Sequence, residues 1–315
     1  MRILHTSDWH LGRTLHGVDL LGHQATYLDH LVDMVRTEGV SAVVVSGDVY
    51  DRAIPPVEAV QLLADALARL AEHATVVVTP GNHDSAIRLG FGAALMRPGV
   101  HLRARVATLA DPVELADDDG PLLVYALPYL DPDAVRVELS GTDAMLARSH
   151  EAVMAAAMGR VTADLGSRGG SSRPRSLVMA HAFVVGGEAS ESERDIRVGG
   201  VDAVPGAVFG GVDYVALGHL HGAQRLGGRS STGPVLQYSG SPLAYSFSER
   251  NHRKVSALVD LGARSTTVEL VPAPVPRRLA EVTGTLDDLL GAAGENHLDY
   301  WLRVVVTDTA RPAEL

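Results

Sequence analysis

The chain has 315 residues, no cysteine, 46% hydrophobic residues with few aromatics, and a formal net charge of −11. That length suits one large α/β domain with a small appendage, and the missing cysteine excludes disulfides and thiolate metal sites. No apolar run of about 18 residues marks a membrane span, and the N-terminus lacks the plan of a signal peptide, so a cytoplasmic protein is expected. Lys254 is the only lysine. A protein that grips duplex DNA unaided carries a basic footprint, which this composition lacks. Bound divalent cations offsetting ligand carboxylates, or a partner with its own cationic surface, would reconcile the charge with such a role.

Residues 2–7 read as an apolar strand ending in Ser7-Asp8-Trp9-His10-Leu11-Gly12. Asp8 and His10, two apart beyond a strand end, can share a cation, although an isolated Asp-x-His also suits a helix cap. The spacing of Leu20, Tyr27, Leu28, Leu31 and Val35 predicts a helix over Leu20–Arg36, closed by Gly39. The run Ala42 to Ser46 is a buried strand that delivers Gly47 and Asp48 at its C-terminal end, where glycine permits a close backbone approach. Pro55-Pro56 introduces a helix over Val57–Glu72, and Thr75–Val78 is the next strand. Pro80 and Gly81 break it, so Asn82, His83 and Asp84 land on a turn. In that turn an asparagine can ligate, a histidine can donate a proton, and an aspartate can hold the histidine in one tautomer. Alternation of strand and helix implies right-handed crossovers and a mainly parallel sheet, so all three turns emerge along one edge, where α/β proteins bind ligands.

Residues 86–140 are less informative, with short strands expected at 100–109 and 121–127 around the acidic triplet Asp117-Asp118-Asp119. That triplet reads as a solvated turn before it reads as a cation site. Met145–Leu165 reads as a helix. Gly166–Arg175 reads as a flexible loop whose three arginines can touch phosphate. Strand Ser176–Ala180 presents His181. Strand Tyr214–Leu217 leads into Gly218-His219-Leu220-His221, and residues two apart in an extended segment share a face, so His219 and His221 can both reach one site. Residues 224–271 read as antiparallel β, with Tyr238 and Tyr245 either lining a substrate surface or packing under their loop. Pro272, Pro274 and Pro276 mark a linker over 272–276. A strand–helix–strand pattern then follows (Leu279–Val282, Leu286–Leu290, Tyr300–Val306).

The collected candidates are Asp8, His10, Asp48, Asn82, His83, Asp84, His181, His219 and His221. Nitrogen and oxygen donors without sulfur suit Mn²⁺, Fe or Zn²⁺ better than Mg²⁺. Seven ligands are too many for one ion and suit two ions bridged by a carboxylate. Such ions, about 3.5–4 Å apart, serve an in-line displacement at phosphorus.

In this order, Asp-x-His, Gly-Asp, Gly-Asn-His-Asp, His and Gly-His-x-His, the sequence resembles the calcineurin-like metallophosphoesterases. More narrowly, it resembles the SbcD family of nuclease subunits, through Asp8 to Arg13, Gly47 to Arg52 with Pro55-Pro56, Leu217 to His221, and Tyr238 to Glu249 (Tyr-Ser-Gly-Ser-Pro-Leu-Ala-Tyr-Ser-Phe-Ser-Glu). The likeness spans about residues 1–310. It implies a two-sheet α/β sandwich over residues 1–271 and the start of a small α+β capping domain over 277–315, a domain that in this family runs on to a segment touching the ATPase. It also implies that Asp8, His10 and His221 hold one Mn²⁺, that Asn82, His181 and His219 hold a second, and that Asp48 bridges them. His83 would protonate the leaving 3′-oxygen as general acid, and Asp84 would orient His83. The implied activity is 3′→5′ exonuclease action on duplex ends and endonuclease action on single strands or hairpins, in DNA end processing with an SbcC-type ATPase. The implied homodimer would form through residues 57–70 and 86–96. Arg13, His16, Arg52 and Arg88 lie near the site turns as surface salt-bridge partners or phosphate contacts. The rival reading is a metallophosphatase or phosphodiesterase with a small substrate. The net negative charge favours that rival, while Asp84, where protein phosphatases usually carry glutamate, and the match over 238–249 argue against it. A metal-free binding module is the other rival, and a filled set of ligand positions argues against it.

Overall fold

The computed structural model describes residues 1–141, 144–168, 173–196, 203–227 and 233–310. Two six-stranded sheets face one another. The first runs in the order Thr266–Pro272, Val255–Leu261, Arg2–Thr6, Ala42–Ser46, Thr75–Thr79, Val100–Leu102. The second runs Gln224–Leu226, Val235–Tyr238, Tyr214–Gly218, Arg175–His181, Gly120–Ala126, Val113–Asp117. In each sheet the central strands pair in parallel.

The β-branched runs form these strands because both of their faces are covered. Val43 and Val45 point to the helices Leu21–Thr37 and Val57–Leu70, while Ala42 and Val44 point between the sheets. On the second sheet Val178 and Ala180 meet the helices Pro132–Ser140 and His150–Ser167, while Leu177 and Met179 return to the space between the sheets. The result is a helix–sheet–sheet–helix sandwich. Each fully buried Val or Leu contributes about 1.5–3 kcal/mol of transfer free energy. The strand ends that carry the site are therefore pinned from both sides.

Several expectations are corrected. The helix expected from Met145 starts at His150, because the Ser149 hydroxyl accepts the Ala152 N–H at 3.2 Å and caps it there. The strand expected over 100–109 stops at Leu102 and is followed by a short 3-10 turn, Val106–Thr108. The helix Pro132–Ser140 was not expected; Asp131 caps it, with proline at its first position. Val235–Tyr238 lies parallel, not antiparallel, to Tyr214–Gly218. Tyr238 and Tyr245 are buried, and their hydroxyls donate to the carbonyls of Ala182 and Trp9, so they pack and do not line a surface. Arg168, Arg173 and Arg175 each pair with carboxylates, of Asp164 and Glu114, Asp213, and Asp117, so these arginines are committed to structure. Asp117 also meets the N-terminal ammonium at 2.8 Å. The Leu279–Gly284 and Trp301–Val306 strands pair in parallel, and Leu279 and Trp301 pack with Leu15, Leu20, Leu243 and Tyr245. Among the described residues no helix is long and apolar enough to cross a membrane.

Candidate metal centre

The parallel strands of both sheets end at one place. Asp8 and His10 follow Arg2–Thr6, Asp48 follows Ala42–Ser46, and Asn82 and His83 follow Thr75–Thr79. His181 ends its own strand of the second sheet, and His219 and His221 follow Tyr214–Gly218. The backbone bends sharply to aim these side chains inward. Asp8, His10, Asp48 and His219 all take positive φ, at 53°, 46°, 48° and 107°. Non-glycine residues held there cost of order 1–3 kcal/mol each and persist where the surroundings over-determine them. Here the surroundings are mutual: Asp8 N–H donates to Gly47 O at 3.0 Å, His10 N–H to Asp48 O at 2.9 Å, and His83 N–H to the Asp48 carboxylate at 2.9 Å. The sheets approach so closely that a Cβ on Gly218 would fall 1.9 Å from Ser46 O, and one on Gly47, at φ +85°, 2.3 Å from His181 Nδ1.

Within this frame Asp8, His10 and His221 bring one donor atom each within 4.8 Å of one another, and so do Asp8, Asp48 and His181. The two imidazole Nε2 atoms of His10 and His221 stand 3.1 Å apart. His181 Nε2 lies 2.8 Å from Asn82 Oδ1 and 3.4 Å from Asp48 Oδ2. His219 is buried with its ring 5.4 Å from that of His181, though it joins none of these triads. The donor set fits divalent cations: buried carboxylates, imidazole nitrogens and an amide oxygen converge on one space.

The electrostatics express the same crowding. Burial pushes the Asp8 carboxyl up to about 6 and the His10 imidazole down to about 3. Burial also works against charge on Asp48 and His181, but their mutual attraction wins. Asp48 is held well below the usual carboxylate range, and His181 is raised to about 9. Burial lowers His219. A cation entering here displaces protons, since ligands bind deprotonated.

His83 stands at the rim, 8% exposed, with Nδ1 2.7 Å from Asp51 O and Nε2 3.9 Å from Asp48 Oδ2. A neutral ring must donate from Nδ1 to that carbonyl, which leaves Nε2 facing the site. Burial lowers its pKa, opposed by Asp48. The expectation that Asp84 orients His83 is corrected. The Asp84 carboxylate accepts the N–H groups of Gly81, Val49 and Tyr50 at 2.9–3.0 Å and makes no bond to the ring. It ties the Asn82 turn to the Asp48 turn, and burial raises it to about 7. The carbonyl of Asp51 takes the orienting role because the turn after Asp48 folds back over His83.

Other participants escaped the sequence reading. The Asp51 carboxylate sits 3.5 Å from His10 Nδ1 and 3.1 Å from the Arg13 guanidinium, so Arg13 serves a structural pair. Ser7 bonds to the Asp8 carboxylate. Ser192, Glu193, Glu249 and Lys254 surround His221. Arg194 donates to Asn82 O at 3.2 Å. Asp51 and Glu249 lay inside recognised motifs; the 192–194 segment carried no signal, since a loop that returns to a site from far along the chain has no spacing to read.

The calcineurin-like phosphoesterase family model matches residues 1–223. A Bacillus subtilis (strain 168) protein, named as the SbcD component of the SbcCD nuclease, is 37% identical over 303 residues, covering 91% of this chain and 76% of that one. A Staphylococcus saprophyticus protein of the same name is 29% identical over 316 residues, covering 96% and 78%. Among solved structures, a dimetal phosphatase from Danio rerio has a TM-score of 0.53 at 13% identity, covering 86% of this chain and 96% of that one, a likeness of fold alone. With the ligand order, the two-sheet frame and these matches together, the chain belongs to the calcineurin-like phosphoesterases and, within them, to the SbcD family of SbcCD nuclease components.

Proposed function

We propose that the chain is a metal-dependent DNA nuclease that hydrolyses phosphodiester bonds at the convergent strand ends. The observation that carries this reading is one donor cluster in a chain 37% identical to a named nuclease component. Asp8, His10 and His221 would hold one divalent ion, Asn82, His181 and His219 the other, and Asp48 would serve both. Mn²⁺ suits the mixed nitrogen and oxygen donors. When bound, the two ions polarise the phosphoryl group and lower the pKa of water.

The chain's own residues do the remaining work. His83 in its protonated form donates from Nε2 to the leaving 3′-oxygen, while Asp51 O holds its Nδ1 proton. The negative phosphate, once seated, offsets the burial that lowers this histidine. Asp84 keeps the two ligand turns in register.

DNA ends, single strands and hairpins are the substrate class, with 3′→5′ polarity on duplex ends, and an SbcC-type ATPase supplies the cationic surface that a net charge of −11 lacks. A cytoplasmic location fits that substrate and the absent cysteine. Ile54, Val57 and Val60, in or just before the first segment, and Ile87, Phe91 and Leu95, in the second, are exposed apolar side chains, which supports homodimerisation through residues 57–70 and 86–96.

The test is purified protein with Mn²⁺, a labelled DNA hairpin and bis-p-nitrophenyl phosphate, with His83→Ala alongside. DNA cleavage that falls about 10²–10⁴-fold in the variant, at unchanged metal content, supports both the nuclease and the general acid. Turnover of the small ester alone would favour the small-phosphoester reading for this chain.

A further inference from the structure

His221 is held through both its ring and its backbone. Its Nδ1 faces the Ser192 hydroxyl at 2.7 Å and the Glu249 carboxylate at 3.1 Å. Its backbone N–H donates to Glu193 at 2.9 Å, and its carbonyl accepts from Lys254 Nζ at 3.1 Å. Lys254 also pairs with the other Glu249 oxygen and donates to Ser241 Oγ at 2.9 Å. Every polar handle of His221 except Nε2 is thereby occupied. All three residues are buried: His221 and Glu249 are 1% exposed and Lys254 5%. The chain's single lysine is thus spent inside the protein, where an unpaired charge is costly and a paired one is kept for what it fixes. Tyr245 completes the mount, its ring 5.5 Å from that of His221 and its hydroxyl bonded to Trp9 O. His181 and His83, by contrast, turn Nδ1 to the neutral carbonyls of Ser46 and Asp51.

We propose that Glu249 and Lys254 are positioning residues that lock His221 with its proton on Nδ1 and its Nε2 lone pair turned to the ion shared with Asp8 and His10. A carboxylate accepts only, so the ring must donate from Nδ1, and the fixed orientation strengthens Nε2 as a ligand. Lys254 holds Glu249 in place, and its bond to the His221 carbonyl ties side chain and backbone into one unit. The inference rests on His221 being a ligand, as proposed above. It predicts an effect confined to one of two ion positions, because among the described residues the hydrogen bonds made by Glu249 and Lys254 end on His221, Ser192 and Ser241 and not on Asn82, His181 or His219.

The test is calorimetric titration of the metal-free full chain with Mn²⁺, with low-temperature electron paramagnetic resonance to distinguish coupled ion pairs from single ions. Glu249→Gln/Lys254→Met removes both charges and leaves no buried charge unpaired. Its expected behaviour is a 10–100-fold weaker binding of one Mn²⁺ equivalent, the other within threefold of wild type, and a single-ion signal where the wild type shows a coupled pair. Glu249→Gln alone, which keeps the size and one acceptor, should shift the same equivalent by less, and it decides the matter if the double variant does not fold. Unchanged binding of both equivalents overturns the proposal, and equal weakening of both overturns it in favour of a scaffold role. His221→Ala runs as control: if it leaves both equivalents intact, the assignment of His221 as a ligand has failed, and the positioning proposal falls with it.

Discussion

The two halves of the candidate metal centre are built on different physical footings. On the side of His10 and His221, each imidazole has a carboxylate near its Nδ1, and each carboxylate is neutralised from behind: Asp51 by Arg13, Glu249 by Lys254. On the side of His181 the Nδ1 partner is the Ser46 carbonyl, on the neighbouring sheet, and among the described residues no ion pair is joined to that carbonyl. The first half is held by charge relays within loops, the second by the distance between two β-sheets. A relay tolerates small backbone shifts because side chains can follow. A sheet-to-sheet distance does not.

The largest expected effect therefore comes from disturbing that distance. Gly218→Ala would place a methyl carbon 1.9 Å from Ser46 O, and it should cost about 3 kcal/mol or more in urea unfolding, with loss of the ion at His181. A variant of unchanged stability would show that the sheets can part without penalty. Next comes Asp84→Asn. One of the three N–H groups that this carboxylate accepts would face an amide N–H₂, so a loss of about 1–3 kcal/mol is expected, together with slower DNA cleavage. An effect on the pH dependence of His83 without loss of stability would instead restore the orienting role.

A pH experiment sharpens the same contrast. His181 is raised from 6.5 to about 9 in the metal-free protein, so its ion pair with Asp48 contributes fully below pH 6.5. That contribution is lost as the pH climbs through 9. Chemical denaturation of the metal-free chain should therefore show falling stability between pH 7 and 9, and saturating Mn²⁺ should flatten the curve, since metal replaces the proton. The smallest effect is expected at Asp117, remote from the site. Arg175 and the N-terminal ammonium hold its carboxyl well below the usual range, so its contribution is present above pH 4 and lost as the pH falls. Asp117→Asn should cost about 1 kcal/mol or less at pH 7 and remove part of the acid sensitivity of the melting temperature.

Much of the candidate site was legible in the sequence because its proposed ligands sit at strand ends, and strand ends announce themselves. A β-branched run that stops at Gly47-Asp48, or at Pro80-Gly81-Asn82-His83, reports both the element and the turn. The helix Pro132–Ser140 was missed although Asp131 and Pro132 signalled its start, since its apolar face is thin. Asp84 was misread for a different reason. Adjacent residues on a tight turn look like partners in sequence, yet their side chains diverge, and the carboxylate turned to the backbone donors of the next loop.

The sequence by itself determined which chemistry is available: nitrogen and oxygen donors without sulfur, in an order that marks the family, carried on alternating strands and helices. Only the tertiary structure decided how those residues are mounted. The pairing of His221 with Glu249 and Lys254, of His10 with Asp51 and Arg13, and of His181 with Ser46 joins residues up to 135 apart along the chain, some on opposite sheets. Contacts of that kind leave no period in the sequence. They depend on where two packed sheets bring their edges together, and that is settled by the side-chain volumes between them.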